Sequence, residues 1–285
     1  MSTPFAHVIG DPIEQSKSPL IHNFWLKQLG KAGDYERCHV TADGLAEYLE
    51  TQRENPDWRG CNVTMPHKRA ILPLLDDIDP VAAAIGAVNT VIRLENGNLV
   101  GFNTDAGGFI EPLLPTLRSS HLFRMARILG TGGAARAIVA ALIDNGFVLV
   151  LAGRDPDKAR ALLEDLCPES DHHVVHLSYF AYPTNFAFDD REGCLDLVIN
   201  ASPLGMTGKP ELSFDWSHAP PGSIAYDIVT DPVDTHFLKS AREAGHTTID
   251  GLAMLLGQAA LAFEKFFGGP PPRDEDAKLM KMLAG

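Results

Sequence analysis

A chain of 285 residues, 45% apolar and 21% charged, holds enough core-forming side chains for two domains, which excludes general disorder. Its formal charge of −13, from 24 Lys and Arg against 37 Asp and Glu, comes with no basic run longer than a dipeptide. Binding to a phosphate backbone by counter-ion release is therefore excluded, no nucleic-acid partner is expected, and any anion must be met by local cations or backbone N–H groups.

In chain order, residues 5–10 read as a strand. Ser18-Pro19 then supplies an N-cap with proline at the first helical position, opening a helix that ends at Gly30. Strands are predicted over 35–41 and 60–64, and Pro66 opens a further helix. Segments 88–94 and 99–103 flank Asn96-Gly97, a strong hairpin signal. A second alternating series follows Asp105: strand 127–129, helix 135–145, strand 147–152, helix 156–166, then buried-type strands over 195–200 and 223–227. Residues 179–193 have no period and are predicted to be a long surface connection. A helix over 251–267 and a last one after Pro270-Pro271-Pro272 complete the chain. Strands alternating with helices predict an α/β protein with a parallel sheet covered on both faces.

No apolar run of about eighteen residues occurs, because Leu252 to Phe263 is interrupted by Gly257 and Gln258, so no membrane association is expected. Cys38, Cys61, Cys167 and Cys194 lie far apart, without Cys-x-x-Cys or zinc-finger spacing, and read as reduced core thiols with no metal site. Met1-Ser2-Thr3-Pro4 lacks the features of a signal peptide, so a cytoplasmic enzyme is expected.

Gly130-Thr131-Gly132-Gly133-Ala134-Ala135 fits G-x-G-x-x-A between a strand and a helix. Its glycines would let a pyrophosphate approach the helix N-terminus; the plainer alternative is a purely steric turn. The next strand ends in Gly153-Arg154-Asp155, with Lys158 one turn on. Arginine there would pair with the 2′-phosphate of NADP and an acid would accept from the ribose of NAD, while Asp155 could instead cap the helix opening at Pro156. Ser16-Lys17-Ser18-Pro19 and Asn62-Val63-Thr64-Met65-Pro66-His67-Lys68 each follow a strand. Short hydroxyls, an amide and lysine together suit a small polyhydroxylated anion, although each alone reads as a cap or a surface lysine. Gly86-Ala87-Val88-Asn89-Thr90 opens the hairpin and Asn103-Thr104-Asp105 closes it, where Asp105 could face a ligand or cap a helix beginning near Ala106.

Taken in order, these motifs, with Asn200-Ala201-Ser202-Pro203-x-Gly205-Met206 and Asp250-Gly251-Leu252-x-Met254-Leu255-x-x-Gln258, resemble the shikimate dehydrogenases nearly end to end. The resemblance implies an NADP-linked enzyme interconverting 3-dehydroshikimate and shikimate in aromatic amino-acid biosynthesis. It implies an N-terminal α/β substrate domain over 1–104, rejoined by helices over 251–285, and a Rossmann-like parallel-sheet dinucleotide-binding domain over 105–250. By family pattern Ser16, Ser18, Thr64, Lys68, Asn89, Asp105 and Gln258 hold the substrate, with Lys68 the proton-transfer residue and Asp105 its partner. Gly130, Thr131, Gly132, Gly133, Ala134, Arg154, Asp155 and Lys158 are the expected cofactor residues, with Ile228 and Gly251 against the nicotinamide.

Two departures keep alternatives open. Gly153-Arg154-Asp155 stands where the family reads Asn-Arg-Thr, and Thr230 stands where it has tyrosine in Asp-x-x-Tyr-x-Pro. A quinate or quinate/shikimate dehydrogenase using NAD is the nearer alternative; a non-catalytic, NADP-sensing protein on the same fold is the one from another class. The expected partner is a small molecule, and the chain is expected to be a monomer or homodimer.

Overall fold

The computed structural model describes residues 3–168, 171–188 and 193–285. Contacts gather the chain into two units, Met1–Gly108 with Leu256–Gly285, and Phe109–Leu255. The divisions fall after Gly108 and after Leu255, a few residues beyond the positions expected from the sequence.

In the first unit β1 (Phe5–Gly10), α1 (Ser18–Gln28), β2 (Asp34–His39), α2 (Leu45–Arg53), β3 (Trp58–Val63) and the one-turn α3 (His67–Ala70) follow one another. After them come β4 (Asp77–Ile78), α4 (Pro80–Ile85), β5 (Thr90–Arg93) and β6 (Leu99–Phe102). Among the described residues the sheet order is β2-β1-β3-β5-β6-β4, with β1 parallel to β2 and β3, and β5 antiparallel to both of its neighbours. The reversal at β5 is the predicted hairpin, whose turn holds Gly97 at φ +86°. Its consequence is positional: Thr90 lies opposite both Asn62 of β3 and Phe102 of β6. The end of β3, the start of β5 and the end of β6 thus share one end of the sheet.

α1 begins at Ser18, but its N-cap position is Lys17, with no side-chain capping bond. Lys17 already has helical dihedrals (φ −88°, ψ −6°), so the helix starts at the serine predicted to cap it, one residue earlier than expected. Trp58, Cys61, Val63, Val91 and Leu99 form part of the core on one side of the sheet; burying each large apolar side chain contributes about 1.5–3 kcal/mol.

α5 (Asp105–Ile110) and α6 (Leu114–Leu117) lead on to β7 (Phe123–Leu129), α7 (Gly133–Asp144), β8 (Val148–Gly153), α8 (Pro156–Leu166), β9 (His173–His176), β10 (Cys194–Asn200), β11 (Ile224–Asp227), α9 (His236–Glu243) and β12 (Thr247–Ile249). Their sheet runs β12-β11-β10-β7-β8-β9 among the described residues, with every neighbouring pair parallel. Chain order reverses between β7 and β10, the doubly wound Rossmann arrangement with its switch point there. Residues 179–193 are not a plain surface connection. A 3₁₀ turn, Leu177–Ala181, drives Phe180 to 2% exposure, stacked 5.4 Å from Phe214; residues 189–192 of that segment lie outside the described residues.

α10 (Gly251–Phe267) and α11 (Asp276–Ala284) end the chain. From Leu256 onward they belong to the first unit, where Phe263 meets Trp25 edge-on at 5.6 Å and Lys17 Nζ donates to the Leu283 carbonyl at 2.7 Å. Among the described residues no helix is long and apolar enough to cross a membrane.

Candidate active site

Lys68 is carried by α3, a single turn that would not persist alone. Its neighbours fix it: His67 Nε2 donates to the Val40 carbonyl at 2.6 Å, and the Lys68 carbonyl accepts from Val88 N at 2.8 Å. The Lys68 ammonium donates to Asp105 Oδ2 at 2.5 Å, with the two side chains 17% and 7% exposed. The pair is largely withdrawn from water.

Asp105 opens α5 without capping it. Asn103 Oδ1 accepts from the backbone N–H groups of Asp105 at 3.0 Å and Ala106 at 3.3 Å, so the capping alternative belongs to Asn103 and the Asp105 carboxylate is free to turn inward. There its second oxygen accepts from Asn89 Nδ2 at 2.8 Å. The other N–H of that amide goes to Thr104 Oγ1 at 2.9 Å, and Asn89 Oδ1 accepts from Thr104 N at 2.7 Å. With its amide fully engaged and buried, Asn89 orients Asp105.

The network continues into β3 and β2. Asn62 Nδ2 donates to Thr90 Oγ1 at 3.0 Å and to the Asn89 carbonyl at 3.2 Å, while its Oδ1 accepts from the Tyr35 hydroxyl at 2.6 Å. Ser18 is buried at the start of α1, its N–H donating to Ser16 Oγ at 3.4 Å. Thr64 follows β3, its N–H donating to the Ile9 carbonyl at 2.9 Å, and a side chain at Gly10 would strike its methyl at 2.5 Å. Ser16 lies in the β1–α1 connection, its carbonyl accepting from Arg37 Nε at 2.9 Å. Gln258 sits on α10 where it crosses Gly108; a Cβ on Gly108 would lie 2.4 Å from the Gln258 nitrogen, so only glycine permits this approach.

In the second unit Gly130, at φ +132°, ends β7 at the switch point, where a Cβ would lie 2.6 Å from the Ala201 carbonyl oxygen. Gly132 caps α7 with no side-chain bond to the first N–H groups of Gly133 and Ala134, and a Cβ placed on it would meet nothing within 4 Å. An uncapped helix N-terminus facing open space is what a pyrophosphate requires, so the turn fits a dinucleotide. Thr131 packs beside Gly153, its methyl 3.0 Å from where a Cβ would stand. Asp155 takes the capping alternative: its Oδ1 accepts from Asp157 N at 3.1 Å and Lys158 N at 3.4 Å, and Lys158 Nζ is 3.8 Å from its other oxygen. Arg154 is exposed and makes no ion pair among the described residues, so its charge remains available. Gly251 lies against the backbone carrying Ile228, a Cβ there striking the Val229 oxygen at 2.3 Å.

The segment after β11 hangs on Asp227, which is fully buried and accepts from Asn200 Nδ2 at 3.0 Å, Val229 N at 3.0 Å and Thr235 Oγ1 at 2.7 Å. Burial pushes its carboxyl up to about 6. Among the described residues no group of three His, Cys, Asp or Glu side chains is arranged to hold a metal ion.

Two family models match: the shikimate dehydrogenase substrate binding domain over residues 8–91, and the shikimate 5′-dehydrogenase C-terminal domain over 251–281. The shikimate dehydrogenase (NADP+) of Sphingopyxis alaskensis is 48% identical over 285 residues, covering 99% of this chain and 97% of that one. The chain belongs to the shikimate dehydrogenase family.

Among solved structures of the family, shikimate 5-dehydrogenase from Thermus thermophilus in complex with NADP(H) and shikimate matches with a TM-score of 0.81 at 34% identity, covering 98% of this chain and 99% of that one. Quinate dehydrogenase from Corynebacterium glutamicum in complex with NAD matches with a TM-score of 0.80 at 30% identity, covering 98% of each chain. In this chain position 230 is threonine, and the aspartate at position 155 is engaged in capping. Sequence reading missed Tyr35, the capping role of Asn103 and the anchoring role of Asp227. Only Asn103, two residues ahead of a helical turn, carried a signal that could have found it.

Proposed function

We propose that this chain catalyses the reversible, NADP-dependent reduction of 3-dehydroshikimate to shikimate, with Lys68 and Asp105 as the proton-transfer pair. The Lys68–Asp105 contact at 2.5 Å, held from behind by Asn89, carries the reading. NADPH, when bound, supplies the hydride. As hydride arrives, the substrate carbonyl oxygen gains negative charge and needs a proton. The Lys68 ammonium offers both charge and proton in a poorly solvated setting. Asp105 directs that ammonium, and Asn89 keeps the carboxylate from rotating away. Ser16, Ser18, Thr64 and Gln258 are assigned to the substrate's carboxylate and ring hydroxyls, as short uncharged donors that avoid burying a second charge. The turn from Gly130 through Thr131, Gly132 and Gly133 to Ala134 is assigned to the pyrophosphate, Arg154 and Lys158 to the 2′-phosphate, and Ile228 and Gly251 to the nicotinamide side. Capping removes the Asp155 carboxylate from competition with that phosphate, which supports NADP over NAD. All four cysteines are free, which supports a reducing, cytoplasmic setting.

The test is a panel of shikimate and quinate against NADP+ and NAD+. Shikimate with NADP+ is expected to give the highest kcat/KM, by at least about tenfold over quinate, a difference of roughly 1.4 kcal/mol. Higher kcat/KM for quinate with NAD+ would overturn the assignment and make Thr230 the place to look. No turnover with either polyol would favour a sensing protein.

A further inference from the structure

At the other end of the strands that carry the candidate active site, the first unit has a cavity of about 430 Å³. Arg59 near the start of β3, Arg93 at the end of β5, Lys31 ahead of β2 and Lys265 in the last turn of α10 bring four cations to it, and Glu95 is the only carboxylate on its wall. In a chain of net charge −13 this wall carries a net +3.

The contacts those cations make inside the protein do not account for them. Lys31 Nζ donates to the carbonyls of Phe267 and Gly268. Arg93 donates through Nε to the Arg53 carbonyl at 2.6 Å and through Nη1 to the Leu94 carbonyl at 3.2 Å. Lys265 Nζ stands 3.7 Å over the Phe102 ring. Carbonyls and a ring face satisfy donors but carry no net charge, so a single carboxylate, Glu95, is set against four cations. None of the four makes an ion pair among the described residues. A patch of unneutralised cations persists at a cost that an anion would remove, and the volume lies within the range of small-molecule sites.

We propose that this cavity binds a small organic anion bearing two or more negative charges, its carbon skeleton resting on Ile92, Leu94 and Phe266. Two arginines set the polar contacts, since planar guanidinium groups match phosphate and carboxylate alike. The inference is independent of the dehydrogenase reading.

The experiment is calorimetric titration of the full chain at low salt with inorganic pyrophosphate and, separately, citrate; these arms distinguish a phosphate from a polycarboxylate. Beyond any pyrophosphate taken up by the Gly130–Ala134 turn, one equivalent of saturable binding is expected for at least one probe. Arg59→Gln with Lys265→Gln, both exposed positions and thus tolerant of change, should weaken it by about tenfold or more. Arg154→Gln should leave it unchanged. In the wild-type protein, backbone amide resonances of Leu94, Glu95 and Phe267 should shift with the same midpoint. Heats that do not saturate, binding retained in the double variant, loss on Arg154→Gln, or stationary resonances would each overturn the proposal.

Discussion

His22 makes the stability of the first unit depend on pH, and replacing it by phenylalanine should remove that dependence. The ring is fully buried, stacked 4.0 Å from Tyr35 and flanked by Trp25 and Phe263, and neither of its nitrogens has a hydrogen-bond partner. Burial pushes it down from 6.5 to about 3. Because the folded value lies below the unfolded one, the unfolded chain takes up the proton first. Stability is therefore fully present above the unfolded value and falls as pH drops below it. At pH 5 the unfolded ring is protonated and the folded ring is not, about 1.5 units into the window. At about 1.4 kcal/mol per unit this single residue withdraws about 2 kcal/mol between pH 7 and pH 5. His22→Phe keeps the stack and has nothing to protonate; His22→Leu serves as a second variant if the larger ring strains the site. Urea unfolding followed by tryptophan fluorescence in a Trp216→Phe background reads Trp25 and Trp58 of the first unit. Other histidines cancel between wild type and variant, so the difference of differences isolates His22. Equal loss of stability in both proteins from pH 7 to pH 5 would refute the reasoning.

Lys68→Ala should lower kcat by about two to four orders of magnitude with a smaller change in KM, and Asp105→Asn combined with it should cost less than the product of the two, as measured by steady-state kinetics. Arg154→Ala should reduce kcat/KM for NADP+ far more than for NAD+, whereas Asp155→Thr, which exchanges one helix cap for another, should leave the cofactor ratio near wild type. Asp227 should titrate in the folded protein near 6 by carboxyl carbon NMR. Since that value is raised, Asp227 makes the second unit more stable as pH falls from 7 towards 5, opposite in sign to His22; a midpoint near 4 would contradict the burial argument.

Much of the second unit was legible because its signals were local. Pro156 after Asp155 marks a helix start, the glycines after β7 mark the turn, and each needs only a few neighbouring residues to be read. In the first unit local reading misplaced Ser18, because the dihedrals of Lys17 are set by the turn before it. It also could not decide whether Asp105 caps a helix or faces a ligand. That choice depends on Asn103 reaching the helix N–H groups first and on Asn89 arriving from another strand. α2, for which no helix was predicted, carried an apolar spacing in Leu45, Tyr48 and Leu49 that was readable but passed over. β9 and β12, at the sheet edges, are three or four residues of partly exposed chain and have too little pattern to be seen. The Tyr35–Asn62 bond depends on β2 and β3 being drawn to a common side, which is tertiary information.

The first unit is built from two stretches of chain separated by the whole of the second. During synthesis Trp25 and His22 emerge long before Phe263 and Phe266, the rings that cover them. At ribosomal rates of about 5–20 residues per second, roughly ten to fifty seconds pass with that aromatic face bare. Phe109–Leu255, by contrast, is one uninterrupted run with its own parallel sheet. Any holding of the nascent chain must therefore act on the N-terminal sheet, and the unit that comes second in sequence is the first able to close.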